Sequence, residues 1–242
     1  MSQASLVRVV LNAVTFHDLL GPGDGVVVHC RGDAPGVALV HALADLDATF
    51  GFPLRLTLIH VTEPFSSEPT DTDTAAQVVA RLAAERGAAV RLDRLDALPS
   101  DGANATDRRD ALLARAAAEA GARAVAEATC ADDRAEAALA AVLEGATSPA
   151  GLAGPSIKEP LPGASGVLVI RPFWRVRGAQ IEQDLRARGI DPGALPAPPT
   201  NGRLRGRIRD ELLPLLERRY NPRVRAALLR LADSARDAPP GD

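Results

Sequence analysis

The stretch Val26-Val-Val-His-Cys-Arg-Gly-Asp-Ala-Pro-Gly-Val-Ala-Leu-Val-His41 holds the residues best placed for chemistry. Val26 to Cys30 read as a buried strand, Arg31 to Gly36 as a loop, and the residues after it as a helix. In an α/β protein such a turn receives phosphate, because the helix N-terminus presents unpaired N–H groups and the positive end of its dipole. A phosphate cradle also uses glycines, which adopt backbone conformations that other residues resist. Here Gly32 and Gly36 share the loop with Asp33 and Pro35. Pro35 lacks an N–H, although proline suits the first turn of a helix. At ~4 Å and an effective dielectric of ~20, Asp33 would oppose a phosphate charge by about 4 kcal/mol, roughly a thousandfold in affinity. Arg31 could offset that charge or simply pair with Asp33. A weakened phosphate site and a tight turn without a ligand both remain open. A second group is Asp132, Asp133 and Glu136, whose spacing places them near one face of a helix start. Acids there complement the helix dipole whatever else they do.

The elements that must position these groups alternate along the chain. Helices are expected over 5–20, 34–49, 72–87, 104–121 and 132–145. Strands are expected over 26–30, 54–61, 89–92, 124–129 and 167–170, with a loop at 64–70. Strand–helix alternation with short connections gives parallel strands and right-handed crossovers. The expected fold is therefore α/β, a doubly wound five-stranded parallel sheet. Ligands bind beyond the carboxyl ends of such strands, at 30–36, 60–63 and 129–136 in this chain. Beyond residue 170 the pattern changes to a helix over 175–188 and a loop with four prolines over 190–200. Basic helices follow at 203–218 and 222–236, then a frayed tail.

Bulk properties narrow the class. The 242 residues are 46% hydrophobic but only 3% aromatic, so the core is built from Ala, Val, Leu and Ile. Two cysteines exclude a disulfide framework. No apolar run approaches the ~20 residues of a membrane span, and the N-terminus lacks a secretory layout. A cytoplasmic protein without a membrane partner is expected. The net charge of −3 conceals an asymmetry: 14 Arg face 6 acids between Arg171 and Arg230. A GC-rich genome explains arginine over lysine but not the clustering, which points to a polyanion, nucleic acid first.

Several landmarks agree in order with one family. Cys130-Ala-Asp-Asp-Arg-Ala-Glu-Ala-Ala-Leu139 resembles a His-x-Asp-Asp-x-x-Glu-Thr motif, and Arg171-Pro-Phe-Trp174 resembles Arg-Pro-Leu-Leu. Arg205-Gly-Arg-Ile-Arg-Asp-Glu-Leu-Leu-Pro-Leu-Leu-Glu217, followed by Asn221-Pro222, resembles Arg-Asn-x-Ile-Arg-x-x-Leu-x-Pro-x-Leu. These motifs belong to tRNA-isoleucine lysidine synthetases, in the PP-loop ATP pyrophosphatase superfamily of adenine nucleotide alpha hydrolase-like (HUP) folds. The resemblance covers about residues 5–236. It implies a PP-loop domain over 1–172 and a basic helical extension over 173–242 packed on it. It also implies an activity: ATP with magnesium adenylates the wobble cytidine of a tRNA, lysine attacks, and AMP leaves.

Carried over residue by residue, the resemblance implies that Asp132, Asp133 and Glu136 serve metal and amine, with Asp132 and Asp133 as metal ligands. Arg31, Gly32, Asp33, Gly36 and His60 fall at the ATP site, and Arg109, Arg171, Arg205 and Arg209 at the RNA. The loop departs from the family's Ser-Gly-Gly-x-Asp-Ser. Gly32 matches, whereas Asp33 replaces a glycine, Pro35 the aspartate and Gly36 the second serine. His60-Val-Thr-Glu-Pro-Phe-Ser66 keeps one His of His-x-Asp-His-x-x-Arg, and Arg109 keeps one Arg of Ala-Arg-x-x-Arg-Tyr. A segment before the final motif is shortened to Pro199-Thr-Asn201, and Gly206 replaces an Asn. The family usually continues into C-terminal domains that help hold tRNA. Two functions follow: an ATP-dependent RNA-modifying ligase with a divergent site, or a catalytically inactive relative that binds RNA or a protein, with homodimerisation open. The superfamily's strand order also makes the first and fourth strands neighbours. It thereby brings Cys30 and Cys130 to one edge with His29 and His60, as a metal or redox site or as small apolar packing groups. His17 and His41 show no chemistry and are expected on helix surfaces.

Overall fold

The computed structural model describes residues 3–62, 69–95, 105–197 and 203–238. Most of the expected 64–70 loop, the shortened 199–201 segment and the tail after 238 lie outside the described residues. In chain order the elements are α1 (Gln3–Phe16), β1 (Gly25–His29), α2 (Ala34–Phe50), β2 (Arg55–Thr62), α3 (Pro69–Arg86) and β3 (Ala89–Arg94). Then come α4 (Ala105–Ala120), β4 (Ala124–Glu127), α5 (Ala131–Leu143), α6 (Pro149–Ala153), β5 (Lys158–Pro160) and β6 (Leu168–Ile170). The chain continues with α7 (Gly178–Ala187), α8 (Arg203–Arg207), α9 (Leu213–Arg219) and α10 (Val224–Asp237).

The strands form one sheet in the order β3-β2-β1-β4-β6-β5. β1, β2, β3, β4 and β6 are parallel, and β1 lies between β2 and β4. The order reverses at β1, so the switch point falls where the opening loop leaves the sheet. The five expected parallel strands are present, but the sheet has a sixth. β5 pairs antiparallel with β6. Its sequence, Lys158-Glu-Pro160, is too short and too charged to show strand periodicity, and its proline is tolerated only because β5 is an edge.

The chain divides into two compact units, each made of two segments: Met1–Ala128 with Ile157–Pro198, and Thr129–Ser156 with Pro199–Asp242. The first holds the sheet. Its Val27, Ile59, Val125 and Val169 share one face and pack with Leu113 and Ala117 of α4. The alternate residues Val26, Val28 and Leu58 point to the opposite face and are equally buried. Both faces being covered is why β1 reads as a continuous apolar run. In the second unit, Ala135 and Leu139 of α5 pack with Ile208, Leu213, Leu228 and Ala232.

Two local expectations are corrected. His41 is not on a helix surface. α2 contacts α1, α3 and α7, which leaves little of it exposed, and His41 is 5% accessible. Its Nδ1 accepts a hydrogen bond from Arg86, which with Arg188 also pairs Asp45 at 2.7 Å each. Burial, reinforced by Arg86 and Arg188, lowers the imidazole to about 4, so it is neutral. The helix expected over 203–218 is not regular either. A π turn at Ile208–Leu212 joins α8 to α9, with the Leu213 N–H donating to the Ile208 carbonyl. The wider turn falls beside Pro214, which cannot donate to the carbonyl four residues back.

Candidate functional site

The opening loop closes on itself. Asp33 is fully buried and caps α2, its Oδ1 accepting the Gly36 N–H at 3.0 Å. Its Oδ2 accepts from Arg31 at 2.9 Å (Nε) and 2.7 Å (Nη2). The Val37 N–H donates to the Asp33 carbonyl. The first turn of α2 is thus served by the loop's own carboxylate, and Pro35 contributes no donor. Gly32 has φ +80°, and a Cβ there would lie 2.8 Å from the Ala75 carbonyl oxygen. Its conservative match to the glycine loop is therefore also a packing requirement against α3. Gly36 is constrained differently: a Cβ would lie 2.9 Å from Asp33 Oδ1 and 3.2 Å from Cys30 Sγ.

His60 stands beside this loop. It is buried, and its Nδ1 hydrogen-bonds the Cys30 carbonyl at 3.0 Å, which makes Nδ1 the protonated nitrogen. Its Nε2 is buried without a hydrogen-bond partner among the described residues. Burial, with a smaller effect of His29, lowers its affinity for a proton. Burial also pushes the Cys30 thiol up to about 12. Cys130, in the second unit, is raised well above its ordinary value for the same first reason. Both cysteines are buried and free, and both are held as thiols rather than the thiolates that ligate or attack. The strand adjacency expected of them is present, since β1 pairs with β4.

The carboxyl ends of β4 and β6 carry a charged row that sequence reasoning missed in part. His29 and Glu127 sit opposite each other in register, 3.9 Å between Nδ1 and Oε1. Arg171 is buried between Glu127 at 2.9 Å and Glu159 at 2.7 Å. Burial alone would raise the Glu127 carboxyl, but the His29 hydrogen bond and Arg171 outweigh it and hold it at about 2. The signal for Glu127 was its place, an acid ending the apolar run Ala124-Val-Ala. Arg109, on α4, pairs with its neighbour Asp110 at 3.4 Å. Arg171 and Arg109 are thus both engaged with acids of the first unit.

The second unit gathers the acidic group and the final arginine motif. Asp133 turns back to accept the Cys130 N–H at 2.8 Å, closing the N-terminus of α5. Glu136 is buried and clamped by Arg209 from the π turn, with contacts of 3.0, 3.1 and 2.8 Å. That bond, with the attraction of the two charges, raises the Arg209 pKa further. Asp132 pairs with Arg225 at 3.3 Å, and Arg205 donates to the Asp133 carbonyl at 3.2 Å. Asp132, Asp133, Glu136, Arg205 and Arg209 are therefore brought together, each already engaged by another.

Among the described residues no group of three or more His, Cys, Asp or Glu side chains could hold a metal ion. Glu136 offers its oxygens to Arg209, and one Asp133 oxygen caps a helix. A phosphate at α2 would compete with the Asp33 carboxylate for the Gly36 N–H. As arranged, neither set of residues fits its group.

A profile of the PP-loop domain family matches residues 15–216. The chain belongs to the PP-loop domain family. It is 34% identical over 231 residues to a tRNA(Ile)-lysidine synthase of Symbiobacterium thermophilum, which covers 93% of this chain and 46% of that protein. To a tRNA(Ile)-lysidine synthase of Salinispora arenicola it is 32% identical over 238 residues, covering 96% of this chain and 69% of the relative. The chain thus spans about half the length of several curated relatives it matches. Among solved structures it resembles a U34-tRNA thiolase from Methanococcus maripaludis, with TM-score 0.73, 18% identity, and coverage of 98% of this chain and 80% of that one. It also resembles an NH3-dependent NAD synthetase from Campylobacter jejuni, with TM-score 0.52, 12% identity, and coverage of 100% and 99%. At such identities the likeness shows the fold alone. Among the described residues no helix is long and apolar enough to cross a membrane.

Proposed function

We propose that the chain is the PP-loop part of an ATP-dependent, cytoplasmic tRNA-modifying ligase of the tRNA(Ile)-lysidine synthase type. The observation that carries this reading is the similarity to lysidine synthases over 93–96% of the chain. In this reading Asp132, Asp133 and Glu136 serve the amine end of the reaction, and Arg109, Arg171, Arg205 and Arg209 line the anionic substrate. Both tasks require the ion pairs described above to open on binding. Incubation with a tRNA(Ile) transcript, Mg-ATP and labelled lysine tests it. Label joined to the RNA supports the reading, and no label under conditions that serve a known lysidine synthase overturns it.

One observation favours a second reading, a catalytically inactive relative that binds RNA or a protein. Asp33 occupies the N-terminus of α2, where the ATP-using reading needs an open anion site. Thermal unfolding with Mg-ATP separates the two. A ligand at a hundred times its dissociation constant stabilises by about 2.7 kcal/mol, so the ligase should show a clear upward shift and the inactive relative none.

A further inference from the structure

The asymmetry of charge in the sequence points to a polyanion, yet several of the arginines that carry it are paired within the protein. Arg171, Arg188, Arg209 and Arg225 each hold one or two acids. Arg205 and Arg209, two of the four arginines expected at the RNA, are bound to the Asp133 carbonyl and Glu136. Arg175, Arg177 and Arg230 are exposed elsewhere, and three further exposed arginines fall within six residues at the turn between α9 and α10. Arg218, Arg219 and Arg223 are exposed there, and no hydrogen bond or ion pair of their guanidinium groups occurs among the described residues. Between them stands Tyr220, 78% accessible. The single acid of the 215–223 stretch, Glu217, is already held by Arg225 at 3.0 Å.

The turn is built rather than loose. The Tyr220 and Asn221 N–H groups both donate to the Leu216 carbonyl, at 3.0 and 2.8 Å. The Asn221 side chain accepts the Arg223 N–H at 2.9 Å, and its carbonyl accepts the Val224 N–H at 3.0 Å. These bonds fix the backbone of a segment that carries an exposed aromatic ring and three exposed arginines. Leaving a tyrosine ring exposed forgoes the burial that such a side chain otherwise gains. Cations that track phosphates, beside a ring on which a base can stack, are the elements of a single-stranded nucleic-acid platform.

We propose that Arg218, Arg219, Tyr220 and Arg223 form a docking site for a single-stranded RNA segment, with the base stacked on Tyr220 and flanking phosphates on the arginines. The proposal rests on the RNA-directed reading above but assigns the contact to residues outside the motifs that define the family. Double-stranded RNA, whose bases are already stacked, engages only the arginines, and an acidic protein surface has no use for the ring.

Fluorescence anisotropy with a short labelled single-stranded RNA, titrated over a range of salt, tests the site. The triple variant Arg218→Gln, Arg219→Gln, Arg223→Gln should lower the slope of log affinity against log salt by about 2, from three contacts at ~0.7 each. Tyr220→Ala should weaken single-stranded RNA roughly tenfold, Tyr220→Phe should bind as the wild type, and a duplex RNA should not distinguish the three. All four side chains are exposed, so circular dichroism and the unfolding midpoint should not move. An unchanged salt slope in the triple variant, or equal binding by Tyr220→Ala and wild type, overturns the site. If tRNA is still bound in that case, the RNA-directed reading stands and the site alone is lost. If the wild type binds neither RNA, both fall.

Discussion

A Cβ at position 36 would lie 2.9 Å from Asp33 Oδ1, so the residues at 33 and 36 are coupled. The Asp33 carboxylate fills the space that a serine side chain at 36 would need. Gly36→Ser should therefore cost about 1–3 kcal/mol as an overpacked site. In an Asp33→Gly background, which itself loses only a few tenths at the cap, most of that cost should vanish. Urea unfolding of the two single variants and the double variant gives the coupling, expected at about 1 kcal/mol or more. Strictly additive losses would show that the two residues do not compete. The same Asp33→Gly change frees the Gly36 N–H, so any Mg-ATP stabilisation should be larger in it than in the wild type.

At the scale of elements, α5 and the helical run over α8 and α9 are joined by a charge pair within the second unit. Glu136 is 2% accessible and both its oxygens face Arg209. The π turn that carries Arg209 lies next to Pro214, so an irregularity set by backbone chemistry coincides with the residue that closes the acidic group. Arg209→Ala strands a buried carboxylate and should destabilise by about 3–5 kcal/mol. Arg209→Met combined with Glu136→Leu removes both charges and should recover most of that loss, read from chemical unfolding. A double variant no more stable than Arg209→Ala would mean that packing, not charge, links these elements. The basic helix expected over 203–218 is present in its two ends, α8 and α9, but the π turn between them is not legible, because residue spacing does not reveal which carbonyl a backbone N–H selects.

For the whole molecule, acid should act in two successive windows. His41 has its folded pKa lowered to about 4 from an ordinary 6.5, so the unfolded chain binds the proton first. Its contribution is fully present above pH 6.5 and is lost as pH falls toward 4, to a limit of about 3 kcal/mol. Glu127 is held at about 2 against an ordinary 4.5, so its contribution is present above pH 4.5 and fades toward 2. Unfolding free energy measured against pH should therefore begin to decline near 6.5, before carboxylates titrate. His41→Gln, which cannot take up the proton, should reduce the slope between 6.5 and 4, leaving the part due to His60, which burial also lowers. An unchanged slope in that variant would move the origin of the decline elsewhere.

The sequence by itself determined the alternation of strands and helices, the parallel core of the sheet and the family. Each of these is written in local apolar period and in collinear motifs. It also singled out candidate groups, from Asp33 at the opening turn to Asp132, Asp133 and Glu136 at the start of α5. It could not place β5, whose three residues have no period, nor bury His41, whose surroundings come from α3 and α7. Only the tertiary structure decided how the charges are spent. Asp33 turned to its own loop, Glu136 to Arg209 and Arg171 to two glutamates. Formal charge is a property of composition, whereas an ion pair requires two groups distant in the chain to meet within a few ångströms. That difference leaves Arg171 and Arg209 paired with acids, while Arg218, Arg219 and Arg223 stay exposed.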